Sequence, residues 1–302
     1  MKILVVGGAG MIGGHAALYL RARGHRVTIA GRRPPAAGTP LGELEFLQCD
    51  YVANNLDPTV LGGFDALVFA AGNDLRHVPK GTDANEHLQR ANVEAVPAFF
   101  RAARDAGVRH AVQVGSFYPQ ARPELVEVHE YVRSRKLADD GARALATSSF
   151  RVMSVNPPYV IGAVPGLVTH LRAYVQWGQG KLTSIPDFTP PGGVNFISTQ
   201  SLSEAIEGAL LRGENGRAYL VGDENWTFQE YFAAFFRAFN RPVPPVRNQE
   251  HPMLPDATLY FGRGNTLHYS PDPDEAALLG YRRRDVGRAI DEIVAQFRDV
   301  DQ

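Results

Sequence analysis

The feature that most restricts how this chain can fold lies at its start, where the apolar run Lys2-Ile3-Leu4-Val5-Val6 breaks into Gly7-Gly8-Ala9-Gly10-Met11-Ile12-Gly13-Gly14. A continuous β-branched run reads as a strand buried on both faces, and the glycines read as a tight turn leading into a helix. Each glycine has a separate physical task. Gly7 makes the turn, Gly10 lets a pyrophosphate approach the backbone, and Gly13 lets the helix pack closely on the strand. Phosphates would then rest on the N–H groups at the positive end of that helix, beside Met11 and Ile12. The implied ligand is a dinucleotide. The helix reads from Met11 to Arg23 and ends at Gly24, a residue suited to a left-handed cap; a second strand follows at Val27 to Ala30.

What stands at the end of the second strand sets which dinucleotide fits. An Asp or Glu about 20 residues past the glycine turn holds the ribose 2′-hydroxyl of NAD. Here the strand ends in Gly31-Arg32-Arg33. Two guanidinium groups suit a 2′-phosphate, which a carboxylate would repel, so the sequence favours NADP over NAD.

Composition narrows the function class. With 302 residues, 44% of them hydrophobic and 21% charged, the chain can bury one large core or two modest ones. A net charge of −1 argues against a nucleic-acid or membrane-surface role that depends on bulk attraction. The single cysteine, Cys49, excludes an internal disulfide and a Cys-rich zinc site and reads as a small buried hydrophobe. The nine histidines are scattered without a metal-binding pattern, and His129 reads as a surface or supporting residue, so no metal site is expected. The longest apolar runs are strand-sized, which predicts neither a signal peptide nor a transmembrane span and points to a cytoplasmic protein.

The middle of the chain continues the opening pattern. Glu45 to Cys49 reads as a third strand, with Asp50 and Tyr51 following where an adenine ring would lie. Ala66 to Ala70 reads as a fourth, and its exit through Ala70, Ala71 and Gly72 is small enough for a dinucleotide to lie across it. A helix from about Asn85 to Ala106, closed by Gly107, precedes a fifth strand at His110 to Val114. Pro97 inside that helix leaves the Val93 carbonyl without its donor, so a kink is expected beside Asn92. Repeated strand–helix alternation means a parallel sheet covered on both faces, with ligand at the carboxyl ends of the strands.

Asn92-Val93-Glu94, the run Ala102 to His110 and Val114-Gly115-Ser116 resemble the extended short-chain dehydrogenase/reductase family, also called the NAD-dependent epimerase/dehydratase family. Gly7 to Gly13 matches its nucleotide turn, and Ala205 to Gly222 and a last helix from Asp285 to Phe297 are similar to its later segments. The resemblance implies an α/β fold, a Rossmann doubly wound parallel sheet with a smaller C-terminal substrate-binding cap. Residues 1–161 and 194–212 would form the nucleotide-binding domain, and 162–193 and 213–302 the cap. It also implies a homodimer through two sheet-flanking helices, a cofactor contact from Asn92, and catalysis by a Ser at the end of the fifth strand with a Tyr and Lys spaced Y-x-x-x-K on the next helix. Ser116 and Tyr131 fall at two of those positions.

The spacing has a chemical reason. Positions i and i+4 share one helical face, so a cation there can stabilise the Tyr phenolate and hold the cofactor ribose at once. The Tyr can then take a proton from a substrate hydroxyl, or return one to a carbonyl, while hydride moves at the nicotinamide. This chain reads Tyr131-Val132-Arg133-Ser134-Arg135-Lys136, so Arg135 replaces the family's Lys. Arginine supplies charge and donors but is bulkier and cannot pass on a proton as an ammonium can. Lys136 is rotated by about 140° from Tyr131 and points elsewhere.

Phe150 to Val155 reads as a sixth strand, left through Asn156-Pro157-Pro158-Tyr159-Val160-Ile161-Gly162. That exit is similar to family members that reduce ketones and aldehydes, where it runs beside the nicotinamide, which gives Asn156, Pro157 and Tyr159 cofactor roles; Asn156 equally resembles sugar-nucleotide epimerases. In Val194-Asn195-Phe196-Ile197-Ser198, Val194 stands where sugar-nucleotide enzymes commonly place an Arg for the substrate diphosphate. Residues 228, 232, 235, 236 and 239 are aromatic at helical spacing within a segment read as helical from Asn225 to Phe239, and they read as core. Leu259 to Asp272 shows no period. The sequence therefore points first to an NADP-dependent oxidoreductase acting on a small, largely apolar hydroxyl/carbonyl pair, with Tyr131 as acid/base, Ser116 orienting the oxygen and Arg135 on the ribose. The alternatives are a nucleotide-sugar epimerase or dehydratase, and a non-catalytic NADP-binding sensor.

Overall fold

β1 (Lys2–Val6) explains by its alternation why the sheet around it is covered on both faces. Ile3 and Val5 enter one core together with Ala16, Ala17 and Leu20 of α1 (Met11–Ala22), whereas Leu4 and Val6 enter a separate core on the opposite face. The structure is a computed structural model and describes residues 1–300. The chain continues through β2 (Arg26–Gly31), β3 (Glu45–Gln48), α2 (Pro58–Leu61), β4 (Ala66–Phe69), α3 (Ala84–Leu88), α4 (Ala95–Asp105) and β5 (His110–Val114). Two single-turn helices, α5 (Tyr118–Ala121) and α6 (Leu125–Val128), lead into α7 (Glu130–Arg143), β6 (Arg151–Asn156) and β7 (Tyr159–Ile161). The remainder is α8 (Leu171–Gly178), β8 (Gly193–Ser198), α9 (Thr199–Arg212), β9 (Ala218–Leu220), β10 (Glu224–Thr227), α10 (Phe228–Arg237), β11 (Thr266–Leu267), α11 (Pro273–Leu279) and α12 (Val286–Phe297).

Seven parallel strands form the main sheet in the order β3-β2-β1-β4-β5-β6-β9. The order reverses between β1 and β4, which opens a crevice beyond their carboxyl ends, the place where doubly wound sheets bind ligands. Between α3 and α4 the helix widens into a π-helical stretch, Gln89–Glu94. Pro97 offers no N–H to the Val93 carbonyl, and the distortion sits on the residues just before it. Cys49 lies in the core, its thiol pushed up to about 11 by burial and, secondarily, by Asp50.

Two boundaries differ from the sequence reading. Residues 194–198, assigned to the nucleotide domain, lie in β8, the centre of a smaller four-stranded sheet with β10 antiparallel on one side and β7 and β11 parallel on the other. Residues 218–220, assigned to the cap, complete the main sheet instead. The turn that redirects them is pinned to β6, where Gly216 N–H donates to the Val152 carbonyl (2.8 Å) and Val152 N–H donates to Asn215 Oδ1 (2.9 Å). The cap helix also starts later than expected. Thr227 and Glu230 form a reciprocal capping box, so Glu224–Thr227 stay extended and pair with β8. Phe228, Phe232, Phe235 and Phe236 are all buried in the cap core with Trp177 and Phe196.

The helix pair α1–α9 carries a buried titratable contact. His15 Nδ1 and Ser203 Oγ lie 2.8 Å apart, and the imidazole pKa is lowered to about 4, first by burial and then by Arg288. The unfolded chain therefore binds this proton at higher pH than the folded one, so stability is lost as pH falls from 6.5 to about 4. The shift corresponds to on the order of 3 kcal/mol. Urea unfolding near neutrality and near pH 4 should show the wild type losing more stability than His15→Gln; an identical loss in both would remove His15 from the account.

Candidate active site

The glycine turn is built by backbone contact at close range. Gly7 has φ 81°, and a Cβ there would lie 2.9 Å from the Ala70 carbonyl and the Ala71 nitrogen, at the exit of β4. A Cβ on Gly13 would lie 2.4 Å from the Gly7 carbonyl oxygen, which is why α1 can start directly over the turn. Gly10 is different, since its nearest such neighbour is 3.4 Å away. The first turn of α1 carries no side-chain cap and no acidic residue, so its backbone donors face the crevice uncompensated. This is the shape and donor set that a dinucleotide's pyrophosphate requires. Arg32 and Arg33 lie exposed just past β2, Tyr51 is buried, and Asp50 is partly buried at the exit of β3.

Beyond β4 a hydrogen-bonded chain ties the crevice floor to α7. Asn73 Nδ2 donates to Tyr51 Oη, and His87 Nε2 lies 3.0 Å from Asn73 Oδ1. Asn92, placed by the π-helical stretch, donates to the Asn73 carbonyl (3.1 Å) and to Ser134 Oγ (3.1 Å), and that hydroxyl donates to the Tyr131 carbonyl (2.9 Å). Asn92 thus ties the β4 exit to α7.

One face of α7 presents Tyr131, Arg135 and Asp139 on successive turns. Arg135 is 9% exposed. Its Nη2 donates to the Val114 carbonyl at the end of β5 (3.0 Å), and a Cβ on Gly72 would lie 2.6 Å from its Nη1. The guanidinium carbon is 6.0 Å from the centre of the Tyr131 ring. The arginine therefore reaches the ends of both β4 and β5 while standing beside the tyrosine. Lys136 is turned away and pairs with Asp140. Ser116 is buried just past β5.

Asp139, one turn further on, accepts from Arg143 Nε (2.9 Å), Ser154 Oγ and Asn156 Nδ2 (3.3 Å). Asn156 Nδ2 also donates to Gln120 Oε1 (2.6 Å), and its Oδ1 sits where a Cβ on Gly115 would be, 1.8 Å away. Its amide nitrogen supports the junction of β5, β6 and α7, while its Oδ1 is buried without a hydrogen-bond partner. Pro157 accepts the Phe117 N–H through its carbonyl (3.2 Å), and Tyr159 donates to the Thr258 carbonyl (3.2 Å). Val194 is fully buried between Trp226 and Leu267, so no cation stands at that position. Two residues that sequence reasoning passed over join the site. Tyr118 follows Ser116 by two positions, and Tyr260, from the segment without a period, lies over Tyr131.

A sequence model described as the NAD dependent epimerase/dehydratase family matches residues 3–177. The chain belongs to this family. Among curated proteins nothing matches it. Solved structures resemble it over nearly their whole length. The crystal structure of gox2253 is 21% identical with a TM-score of 0.73, covering 99% of this chain and 98% of that one. UDP-glucose-4-epimerase from Stenotrophomonas maltophila, with bound NAD and formylated UDP-arabinopyranose, is 18% identical with a TM-score of 0.74 and the same coverage, 99% and 98%. MoeE5 in complex with UDP-glucuronic acid and NAD is 19% identical with a TM-score of 0.74, covering 99% of both chains. Sheet and cap alike therefore follow the architecture of epimerase/dehydratase-like structures.

The contact at Gly13 gives a sharp test of the turn. Gly13→Ala should drive its methyl into the Gly7 carbonyl and lower dinucleotide affinity by at least about tenfold, since relief requires moving backbone and not a flexible side chain. Fluorescence titration with NADPH and NADH measures this; unchanged affinity for both would mean that the turn is not the phosphate seat.

Proposed function

We propose that the chain is an NAD(P)-dependent enzyme that oxidises a secondary hydroxyl of a nucleotide sugar and then reduces the carbonyl again, as an epimerase does, or after loss of water, as a dehydratase does. The observation that carries this reading is the Arg135 guanidinium, which stands 6.0 Å from the Tyr131 ring and reaches the end of β5, just before the buried Ser116. Family membership supports it, as do structural neighbours that hold NAD together with UDP-linked sugars.

In this reading the Tyr131 phenolate takes the proton of the reacting hydroxyl and Ser116 hydrogen-bonds the same oxygen. The nicotinamide supplies the hydride acceptor and donor. Arg135, beside the Tyr131 ring, offers its remaining N–H groups to the ribose. Gly7, Gly10, Met11 and Ile12 would hold the pyrophosphate by backbone contact, and Ala70, Ala71 and Gly72 would let the dinucleotide cross the strand ends. Arg32 and Arg33 would take a 2′-phosphate, so we assign NADP as the preferred cofactor even though the neighbours carry NAD. A second reading, net oxidation or reduction of a smaller apolar substrate, is favoured by one observation: Val194 leaves the expected diphosphate cation missing.

Tyr131→Phe should leave NADPH affinity within about twofold and lower turnover by about 10²–10⁴-fold, the usual worth of a positioned acid/base. Undiminished turnover in that variant would remove Tyr131 from the mechanism. Replacing Arg32 and Arg33 together by Ala should weaken NADPH at least about tenfold more than NADH, because the lost contacts are charge-assisted. Equal weakening would return the preference to NAD. UDP-glucose and simple ketones, offered separately to the cofactor-loaded protein, decide between the two substrate readings.

A further inference from the structure

We propose that the place filled by the Tyr260 ring is the seat of the substrate's reacting ring, and that the Tyr118 hydroxyl is the hydrogen-bond partner held there for that ring. The inference rests on the reading of Tyr131 as the acid/base and adds to it the residues that recognise the substrate at that point.

Tyr260 comes from the irregular stretch between the short turn Asp256–Thr258 and β11, so no helix or strand fixes its ring. The ring lies on Tyr131 almost in parallel, 13° apart with centroids at 4.8 Å. Tyr118 meets it edge-on at 5.3 Å, and His129 meets it at 5.5 Å. A flat ring is thus already held against the phenol that the mechanism needs, and no substrate can reach that phenol face while Tyr260 covers it.

Tyr118 supplies the second observation. The residue is 4% exposed, and its hydroxyl lies against the Tyr159 phenol but makes no hydrogen bond of proper geometry there, with Tyr131 and Tyr260 also close. Burial, and then Tyr159, hold its pKa well above the ordinary phenol value, so it stays a neutral donor. A buried hydroxyl without a partner is destabilising where phenylalanine would fill the same space. A ligand that brings an acceptor accounts for it.

The chemistry of the walls names the ligand class. They offer phenols and an imidazole, with Arg135 behind Tyr131 toward the strand ends. A neutral pyranose fits, because its C–H face can lie on a tyrosine ring while its hydroxyls reach Tyr118 and Ser116. A ring bearing its own carboxylate would be desolvated there without a facing cation.

Tyr118→Phe removes only the unpartnered hydroxyl and keeps the packing. Urea unfolding of this variant should show stability equal to or above that of the wild type, and NADPH titration should match the wild type. With UDP-glucose, and with cyclohexanone as a neutral ring that needs no diphosphate contact, its kcat/KM should fall on the order of tenfold, mainly through KM. Tyr260→Ala should instead lower KM, because the substrate no longer displaces a ring. Unchanged kcat/KM in Tyr118→Phe, on whichever ring the wild type transforms, overturns the proposal, as does a raised KM in Tyr260→Ala. Turnover of cyclohexanone without UDP-glucose sinks the nucleotide-sugar reading alone, and the Tyr118 comparison is then made on cyclohexanone. A cofactor-loaded wild type that transforms neither ring overturns the seat, whereas full turnover in Tyr131→Phe locates the failure in the acid/base reading.

Discussion

The architecture depends on one constraint, the approach of three backbones at the end of β1. The glycine turn touches the exit of β4, and the start of α1 touches the turn, at separations where any side chain would collide with a main-chain atom. That closeness puts the helix N-terminus directly over the reversal in strand order, so the positive end of α1 and the crevice coincide. Everything that the site adds is arranged around this fixed opening. Ser116 follows β5, the next strand but one, and α7 crosses behind it with Tyr131 and Arg135.

The position of α7 is held at several depths. Near the crevice, Asn92 links the β4 exit to Ser134 and through it to the Tyr131 carbonyl. Deeper in, Asp139 gathers Ser154, Asn156 and Arg143, tying the same helix to β6. Buried polar groups of this kind are destabilising unless satisfied, and apart from Asn156 Oδ1, which has no partner, their hydrogen bonds are shared among elements that must keep register for the site to exist. The π-helical stretch belongs to the same arrangement, since it sets the turn on which Asn92 sits, and Pro97 explains why regular helix is not the better alternative there.

Much of this was legible in the sequence because it rests on local, periodic signals. The first five strands lie within a residue or so of where hydrophobic runs and glycine caps place them, and Tyr131 and Arg135 share a face because helical geometry requires it. The misplaced pieces are short or depend on distant partners. β9 has three residues and becomes a strand only because Asn215 and Gly216 dock on Val152. β10 hides before a helix whose Thr-x-x-Glu cap was readable, yet its pairing with β8 was not. The protein partners of Asn92 and Asn156 were not legible, because family position says nothing about rotamer. Tyr260 carried no signal at all, because its place over Tyr131 is a contact between residues more than a hundred positions apart.

The exchange of Lys for Arg at position 135 makes sense only together with Gly72. A guanidinium is wider than an ammonium, and its Nη1 occupies the volume that a side chain at 72 would claim. With that room, the fork spans two strand ends, with Nη2 on the Val114 carbonyl and Nη1 against Gly72. The cation is nearly buried, and a buried charge is stabilised mainly by acceptors that it meets directly. The Val114 carbonyl supplies part of that set, and a ribose lying across Gly72 would supply more. The substitution thus links the charge beside Tyr131 to occupancy of the crevice more tightly than a flexible, well-hydrated lysine would, because the rigid guanidinium has fewer other arrangements in which its donors are satisfied.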